Sequence, residues 1–476
     1  MQTRGQLAAG VTSYDSRRDQ ILVTRRDIGS VSEVFQVSRP STFDRYAQRL
    51  AGSAAIGHTR YATSGGDSRR YAQPFERRHG RLWKWFSFAF NGTLSNYRVL
   101  RDNLKNQKGY HFTLDTDTEV VQHYLAYALR GQERPDLRPA MELAARDFDG
   151  AYCLVFLDAD GRLMVARDPL GFRPLSWGVQ DGVFAAASES AALANIGFGD
   201  VRSVEPGQMV VVENGEVNVE RYAPRELRAR CYFEWVYFSH VASAIDGVGV
   251  YESRSRAGEM LAEREKIPVD EHTIVVPVPD TAKAAADAFA FRVGARCVEG
   301  VFRNRYVGRT FIQAEGVRVD AAKSKYTPLP SILAGKRVFL IEDSIVRSTT
   351  LKVLASQIRE RGHAREIHVR VACPPIVAPC FYGIDLSTLG ELFAATRVGT
   401  GRRMDLTPSV LAEMARDLGV DSVRYLSVED MAAALGAEED SLCLGCVTRR
   451  YPTEWGNRLY EAAERSVAAG PESGDS

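Results

Sequence analysis

The stretch Val338-Phe-Leu-Ile-Glu-Asp-Ser-Ile-Val-Arg-Ser-Thr-Thr350 constrains this chain more than any other. Four apolar residues, Val338 to Ile341, read as a buried strand that ends abruptly in two adjacent carboxylates, Glu342 and Asp343. A hydroxyl-rich loop follows and enters a helix with apolar positions Leu351, Leu354 and Ile358 and with Gly362 as its C-cap. The surroundings repeat the pattern. Thr273-Ile-Val-Val-Pro-Val278 is a second buried-type strand, followed by the Ala-rich helical run Ala282 to Phe291, and Ile367, Val369 and Val371 alternate in a third strand. Strand, loop, helix and strand in succession predict a parallel, doubly wound sheet. Ligands of such folds bind at the C-terminal edge of the sheet. There, helix N-terminal N–H groups and the hydroxyls of Ser348, Thr349 and Thr350 make an anion cradle. Glu342 and Asp343 cannot bind phosphate themselves; beside a cradle they suit a ribose diol or Mg²⁺.

The first half has another texture. Ala151 to Leu157, the turn Asp158-Ala-Asp-Gly161 and Leu163 to Ala166 form a hairpin signature, as do Gln208 to Glu213, Asn214-Gly215 and Glu216 to Val219. A helical stretch from Thr118 to Leu129 is interleaved, giving an α+β region rich in antiparallel sheet. The change falls near Tyr222–Arg230, which divides the chain into 1–225, 226–465 and a small, polar, disordered tail, 466–476. Lys+Arg 61 against Asp+Glu 60 gives net charge +1, so no charge excess points to nucleic acid or a membrane surface. No apolar run approaches the ~18 residues of a membrane span, and Met1-Gln-Thr-Arg-Gly-Gln6 does not begin a signal peptide. Seven cysteines cannot all pair and do not read as a secreted disulfide scaffold. The expectation is a cytoplasmic protein of two large units.

The Val338–Thr350 segment resembles the phosphoribosyl-pyrophosphate (PRPP) signature of type I phosphoribosyltransferases, and its flanks are similar to the glutamine PRPP amidotransferases among them. Arg303-Asn-Arg-Tyr-Val-Gly-Arg-Thr-Phe-Ile312 looks like that family's loop that closes over PRPP, and Val276-Pro-Val-Pro-Asp-Thr281 like its pyrophosphate loop. Cys231-Tyr-Phe-Glu-Trp-Val-Tyr-Phe238, Pro379-Cys-Phe-Tyr-Gly-Ile-Asp385 and Tyr451-Pro-Thr-Glu454 extend the match. The resemblance implies PRPP binding by Glu342, Asp343, Ser344, Arg347, Ser348, Thr349 and Thr350, with Tyr306 and Arg309 on the closing loop. It also implies Mg²⁺ near Thr281, Glu342 and Asp343. Glu342 stands where the family commonly has Asp, and Ser348 where it usually has Gly.

The first half resembles the N-terminal-nucleophile (Ntn) glutaminase domain of the same family, an α+β sandwich. Gly57-His-Thr-Arg-Tyr-Ala-Thr-Ser-Gly65 matches the loop whose arginine, here Arg60, grips the glutamine α-carboxylate bidentately. Phe90-Asn-Gly-Thr-Leu-Ser-Asn96 carries Asn91 and Gly92, the implied oxyanion hole. Asp115-Thr-Asp-Thr-Glu119 supplies Asp117 for the α-ammonium, and Ala166 to Pro174 and Ala187 to Ser190 are further landmarks. The family begins, after processing, with a cysteine whose thiol is the nucleophile and whose amine is its base. This chain starts at Met1, in a segment that matches the family further in, and its earliest cysteine, Cys153, reads as core. Either the given chain is truncated at an internal methionine, or the protein has lost glutaminase activity and uses free ammonia. Retention of Arg60, Asn91, Gly92 and Asp117 favours truncation. As given, the chain is expected not to hydrolyse glutamine.

Cys443-Leu-Gly-Cys446 alone is compatible with zinc, iron–sulfur, redox chemistry or nothing. Cluster-bearing members of the family hold [4Fe–4S] with four thiolates, and the match assigns Cys231, Cys380, Cys443 and Cys446. Cys373 is the rival ligand, and Cys153 and Cys297 read as buried small hydrophobes. The implied reaction converts PRPP, glutamine and water to 5-phosphoribosylamine, glutamate and pyrophosphate in purine synthesis. The family's oligomers, dimeric or tetrameric, and its purine nucleotide inhibitors are implied with it. Two alternatives stand beside this reading: an ammonia-only phosphoribosylamine synthase, and a non-catalytic PRPP- or nucleotide-sensing protein.

Overall fold

The computed structural model describes residues 1–61, 68–224, 228–304, 325–386, 388–398 and 406–468. Both expected hairpins form. Gly150–Asp158 pairs antiparallel with Leu163–Arg167, and Gln208–Glu213 with Glu216–Arg221. They join Phe86–Leu94 and Phe75–Arg77 in one six-stranded sheet. Period-two alternation gives this sheet two faces. Phe86, Phe88 and Phe90 point to one side and pack with the helices Tyr97–Lys108, Asp117–Ala128 and Arg138–Asp147. The opposite face meets a three-stranded sheet in which Ala8–Tyr14 lies between Leu22–Ile28 and Ala54–Arg60. Leu22 and Ile56 pack with Leu157 and Ala159 between the sheets, and the Thr12 and Ser87 hydroxyls meet there at 2.8 Å. The first half is therefore a sheet-on-sheet sandwich with helices outside.

In the second half the strands Arg296–Cys297, Thr273–Pro277, Arg337–Glu342, Glu366–Val371 and Ser422–Tyr425 follow that spatial order, and every pair is parallel. Val338, Phe339, Leu340 and Ile341 are all fully buried, as a strand covered on both faces requires. The helices Lys283–Val293 and Thr349–Glu360 start beside the C-terminal ends of the two central strands. The registers Pro277↔Ile341 and Glu342↔Val371 bring those strand ends level, so the loops after them share one edge.

Two expectations need correction. The left-handed residue after Thr349–Glu360 is His363 (φ 55°), not Gly362. Gly362 is there for space: a Cβ would lie 2.5 Å from the Ile358 carbonyl oxygen and 2.8 Å from Leu333 Cδ1. The tail expected from 466 begins inside the last helix, Glu454–Ala468, where local hydrogen bonding carries the helix on; residues 469–476 lie outside the described residues.

The halves touch closely. Ala151 and Phe172 pack with Tyr382, Tyr451 and Tyr460. Ser95 Oγ donates to the Phe381 carbonyl at 3.1 Å, and the Trp455 N–H to Asp149 Oδ2 at 3.1 Å.

Candidate active sites and a thiol pocket

A cavity of about 390 Å³ opens between the two sheets of the first half, and Arg60, Asn91, Gly92 and Asp117 all line it. Arg60 ends the strand Ala54–Arg60 and is buried, its guanidinium 5.3 Å from the centre of the Tyr71 ring. Asn91 and Gly92 come from the facing sheet. Gly92 has φ +143°, and a Cβ there would sit 2.0 Å from the Ala151 carbonyl oxygen, so no other residue fits. Asn91 Nδ2 reaches Ser188 Oγ at 3.5 Å. Asp117 opens the helix Asp117–Ala128, whose N-cap Thr116 accepts from the Glu119 N–H. Burial pushes the Asp117 carboxyl up to about 6, and the Leu94 and Thr118 N–H groups pull the other way. A guanidinium and a carboxyl on one cavity suit the two charged ends of a free amino acid. His58 shares the cavity; burial, and then Arg60, lower its imidazole to about 4, so it is neutral at pH 7. Cys153 is also on the wall, where burial raises its thiol to about 12.

At the edge of the parallel sheet, Asp343 accepts from the Thr281 hydroxyl and, at 2.6 Å, from Ser344 Oγ. The Asp343 N–H donates to Glu342 Oε1 at 3.3 Å. Burial, and then the neighbouring Asp343, push the Glu342 carboxyl well up; burial also raises Asp343, against the hydrogen bonds from Ser344 and Thr281. Lys325 acts on both carboxylates from a distance, and Arg254 on Asp343. The Arg254 guanidinium is spent on the Trp235 and Ser239 carbonyls, at 2.8 and 2.9 Å. Among the described residues no ion pair reaches either carboxylate. Ser348 precedes the helix Thr349–Glu360 without capping it through its side chain, and Thr349 and Thr350 form the first turn. First-turn N–H groups thus remain for an anion. Arg347 turns aside to Glu391, at 3.2 Å. Tyr306 and Arg309 lie outside the described residues.

Cys231, Cys380, Cys443 and Cys446 line one small pocket walled by Phe172, Tyr382 and Tyr451. Arg230–Cys231 pairs parallel with Leu442–Cys443, which sets Cys231 directly beside Cys443. The Tyr382 N–H donates to Cys380 Sγ, and the Tyr232 hydroxyl meets Cys446 Sγ, both at 3.4 Å. Burial, and then neighbouring thiols, push Cys443 well up; burial lifts Cys231 to about 12. Cys373 does not line the pocket; its thiol faces the Tyr232 hydroxyl at 3.8 Å. Cys297 is half-buried in the edge strand. Among the described residues no three His, Cys, Asp or Glu side chains converge on a point that would hold a single metal ion. Four thiols lining one apolar pocket are a donor set of the kind an iron–sulfur cluster requires.

A model described as "Glutamine amidotransferase domain" matches residues 58–195. The amidophosphoribosyltransferase of Archaeoglobus fulgidus is 37% identical over 95% of this chain and 92% of its own length. The solved structure of the Bacillus subtilis glutamine PRPP amidotransferase, complexed with ADP and GMP, is 34% identical with a TM-score of 0.81 and covers 95% of this chain and 93% of its own. A second solved structure, described as the allosteric regulatory enzyme of purine biosynthesis, matches with the same score and identity over 95% of this chain and 91% of its own. The chain belongs to the amidophosphoribosyltransferase family. It is thus a transferase of purine biosynthesis in which an Ntn amidotransferase half precedes a phosphoribosyltransferase half.

For an amidophosphoribosyltransferase the most telling cavity residues are ones that motif reading passed over. Arg4 and Arg173 line the glutamine-half cavity, as do Phe238 and Gly383 from the other half. Arg173 lies inside the Ala166–Pro174 landmark, and Phe238 and Gly383 lie inside the Cys231–Phe238 and Pro379–Asp385 matches, so the motifs contained these residues without assigning them to this cavity. No described helix is long and apolar enough to cross a membrane.

Proposed function

We propose that this amidophosphoribosyltransferase joins ammonia to C1 of PRPP, giving 5-phosphoribosylamine and pyrophosphate, with the ammonia drawn from glutamine bound in the first half. The observation that carries the reading is the meeting of both halves at the first cavity: Phe238 and Gly383 of the transferase half stand on the wall that also holds Arg60, Asn91, Gly92 and Asp117. Arg60 takes the glutamine α-carboxylate and Asp117 the α-ammonium. The Asn91 side-chain amide and the Gly92 N–H receive the carboxamide oxygen as it gains charge.

At the sheet edge Glu342 and Asp343 hold the ribose hydroxyls and the shell of a Mg²⁺ ion, with Thr281 as its neighbour. The 5′-phosphate sits on Ser344, Ser348, Thr349 and Thr350 at the helix N-terminus, with Arg347 swinging in from Glu391. When bound, Mg²⁺ neutralises the pyrophosphate as it leaves. A buried and a half-buried carboxyl without an ion pair among the described residues suit a cation, which lowers their pKa values on arrival. Tyr306 and Arg309 close over PRPP and exclude water, because hydrolysis is the competing reaction. Cys231, Cys380, Cys443 and Cys446 hold a [4Fe–4S] cluster, which ties the start of the second half to its C-terminal turn. Purine nucleotides inhibit the enzyme, which works in the cytoplasm as a homo-oligomer, a dimer or tetramer; the ADP and GMP in the Bacillus subtilis structure support the nucleotide part.

The test is pyrophosphate release from PRPP and Mg²⁺ by anaerobically purified protein, with glutamine or ammonium as nitrogen source. Release with either supports the transferase reading, and no release with both favours a sensor. The alternative reading is an ammonia-only phosphoribosylamine synthase; Cys153 on the cavity wall, its thiol lifted to about 12 by burial, is a poor nucleophile for glutamine. Release with ammonium alone selects that second reading.

A further inference from the structure

Glu234 belongs to the transferase half, yet its carboxylate is buried among arginines of the amidotransferase half. Arg4 donates to it from Nη2 at 2.7 Å and from Nη1 at 2.9 Å, and Arg173 from Nη1 at 2.8 Å. Ser239 Oγ adds a hydrogen bond at 2.9 Å. From this knot two arms run to the oxyanion pair. Along the first, Arg4 also bonds Glu189 at 3.0 Å, and Glu189 follows Ser188, the partner of the Asn91 amide. Glu189 is held as well by the His240 N–H at 3.0 Å and by Ser243 Oγ at 3.1 Å, both from the transferase half. Along the second, Arg173 Nη2 donates to the Tyr382 carbonyl at 3.2 Å and so holds the turn at Gly383. Gly383, at φ +93°, lies flat on the oxyanion strand: a Cβ would come within 3.0 Å of the Gly92 carbonyl carbon and 3.1 Å of Thr93 Oγ1 and Arg173 Nη2.

We propose that Glu234, acting through Arg4 and Arg173, is the positioning residue for Asn91 and Gly92, so that the transferase half sets the carboxamide end of the glutamine cavity. The inference rests on the assignment of that cavity to glutamine. Neither Arg60 nor Asp117 lies on the two arms, so the effect is confined to the side-chain end of the ligand. A carboxylate gripped by two guanidiniums keeps its place far better than a neutral amide would. The close fit of Gly383 transmits that place to Gly92 without an intervening side chain.

The probe is a pair of amino acids, L-glutamine and L-norvaline, which share their α-groups while norvaline lacks the carboxamide. Dissociation constants for both are measured by ligand-observed NMR on the full chain and on Glu234→Gln and Gly383→Ala. Gly383→Ala leaves every charge of the knot in place, so it stands in if Glu234→Gln does not fold. The unmutated chain is expected to prefer glutamine. Each variant is expected to narrow that preference by ~10-fold, the value of one or two neutral hydrogen bonds, with norvaline affinity held within about 2-fold. A parallel loss of both ligands means general collapse of the cavity and overturns the proposal, as does an unchanged preference in Gly383→Ala. If the unmutated chain shows no preference for glutamine, the assignment of Asn91 and Gly92 falls first and takes this inference with it.

Discussion

The two sites of this chain solve opposite electrostatic problems. The glutamine cavity lies between two sheets, and the protein supplies charge of both signs to it, Arg60 and Asp117, with the oxyanion pair between fixed strands. The PRPP edge lies where strands end, and its two carboxylates have hydroxyls and N–H groups as direct partners but no ion pair among the described residues. A zwitterionic ligand needs complementary charges already in place. A polyanion travelling with a divalent cation needs a site whose negative charge is left for that cation. The largest expected effect follows. Asp343→Asn should lower ammonium-dependent pyrophosphate release by ~100-fold or more, because it removes charge that only the metal-bound state uses. Glutamine affinity in the same variant should stay within about 2-fold; a joint loss would dissolve the distinction between the sites.

The converse variant is Arg60→Lys. A planar guanidinium that grips a carboxylate with two parallel bonds is not replaced by a point charge. Glutamine affinity should fall by ~10- to 100-fold by titration calorimetry, the range of one lost charge-assisted hydrogen bond, while release with ammonium persists. Apart from both sites, the thiol pocket draws Cys231 and Cys380 together with Cys443 and Cys446 around one apolar space. Cys443→Ser should lower bound iron to less than about half of the parent level and lower the thermal midpoint by several degrees, ~5 °C, read by iron assay and calorimetry. Unchanged iron would show that the four thiols share a pocket without sharing a cluster.

How much of this was legible in the sequence depends on the range of the interaction. The strand Arg337–Glu342 declared itself through an unbroken apolar run, and the hairpins through Asn214-Gly215 and Asp158-Ala-Asp-Gly161, all local signals. Arg60, Asn91, Gly92 and Asp117 were legible as motifs, but their grouping into one site came only through the family resemblance and not from local pattern, since three separate elements supply them. The error at Gly362 came from taking glycine as a backbone signal where the constraint was the packing of Leu333 against it. The Arg4–Glu234–Arg173 knot was illegible because its members stand far apart in sequence, and no periodicity or turn chemistry links them. Long-range ion pairs leave no local trace; they are visible only once the two halves are docked.

The smallest effect tests whether the charge in the glutamine cavity is as settled as its geometry. Burial lifts the Asp117 carboxyl from its ordinary value to about 6, so near that pH the anion that the α-ammonium needs is only partly present. Below pH 6 the free cavity holds a proton that binding must displace, and glutamine affinity should fall by about 10-fold per pH unit; above it the affinity should level off. Asp117→Asn should flatten the profile and leave it low throughout, as measured by calorimetry from pH 5 to 8. The sign for stability is the reverse. A carboxyl whose folded pKa is raised binds more protons folded than unfolded between about 4 and about 6, so its contribution to stability declines as pH rises through that window. Stability and ligand affinity therefore move in opposite directions over the same pH range, and the ligand's own ammonium restores what deprotonation removes. A profile that fell in Asp117→Asn as in the parent would assign the titration elsewhere; His58, lowered to about 4, titrates too far down to mimic it.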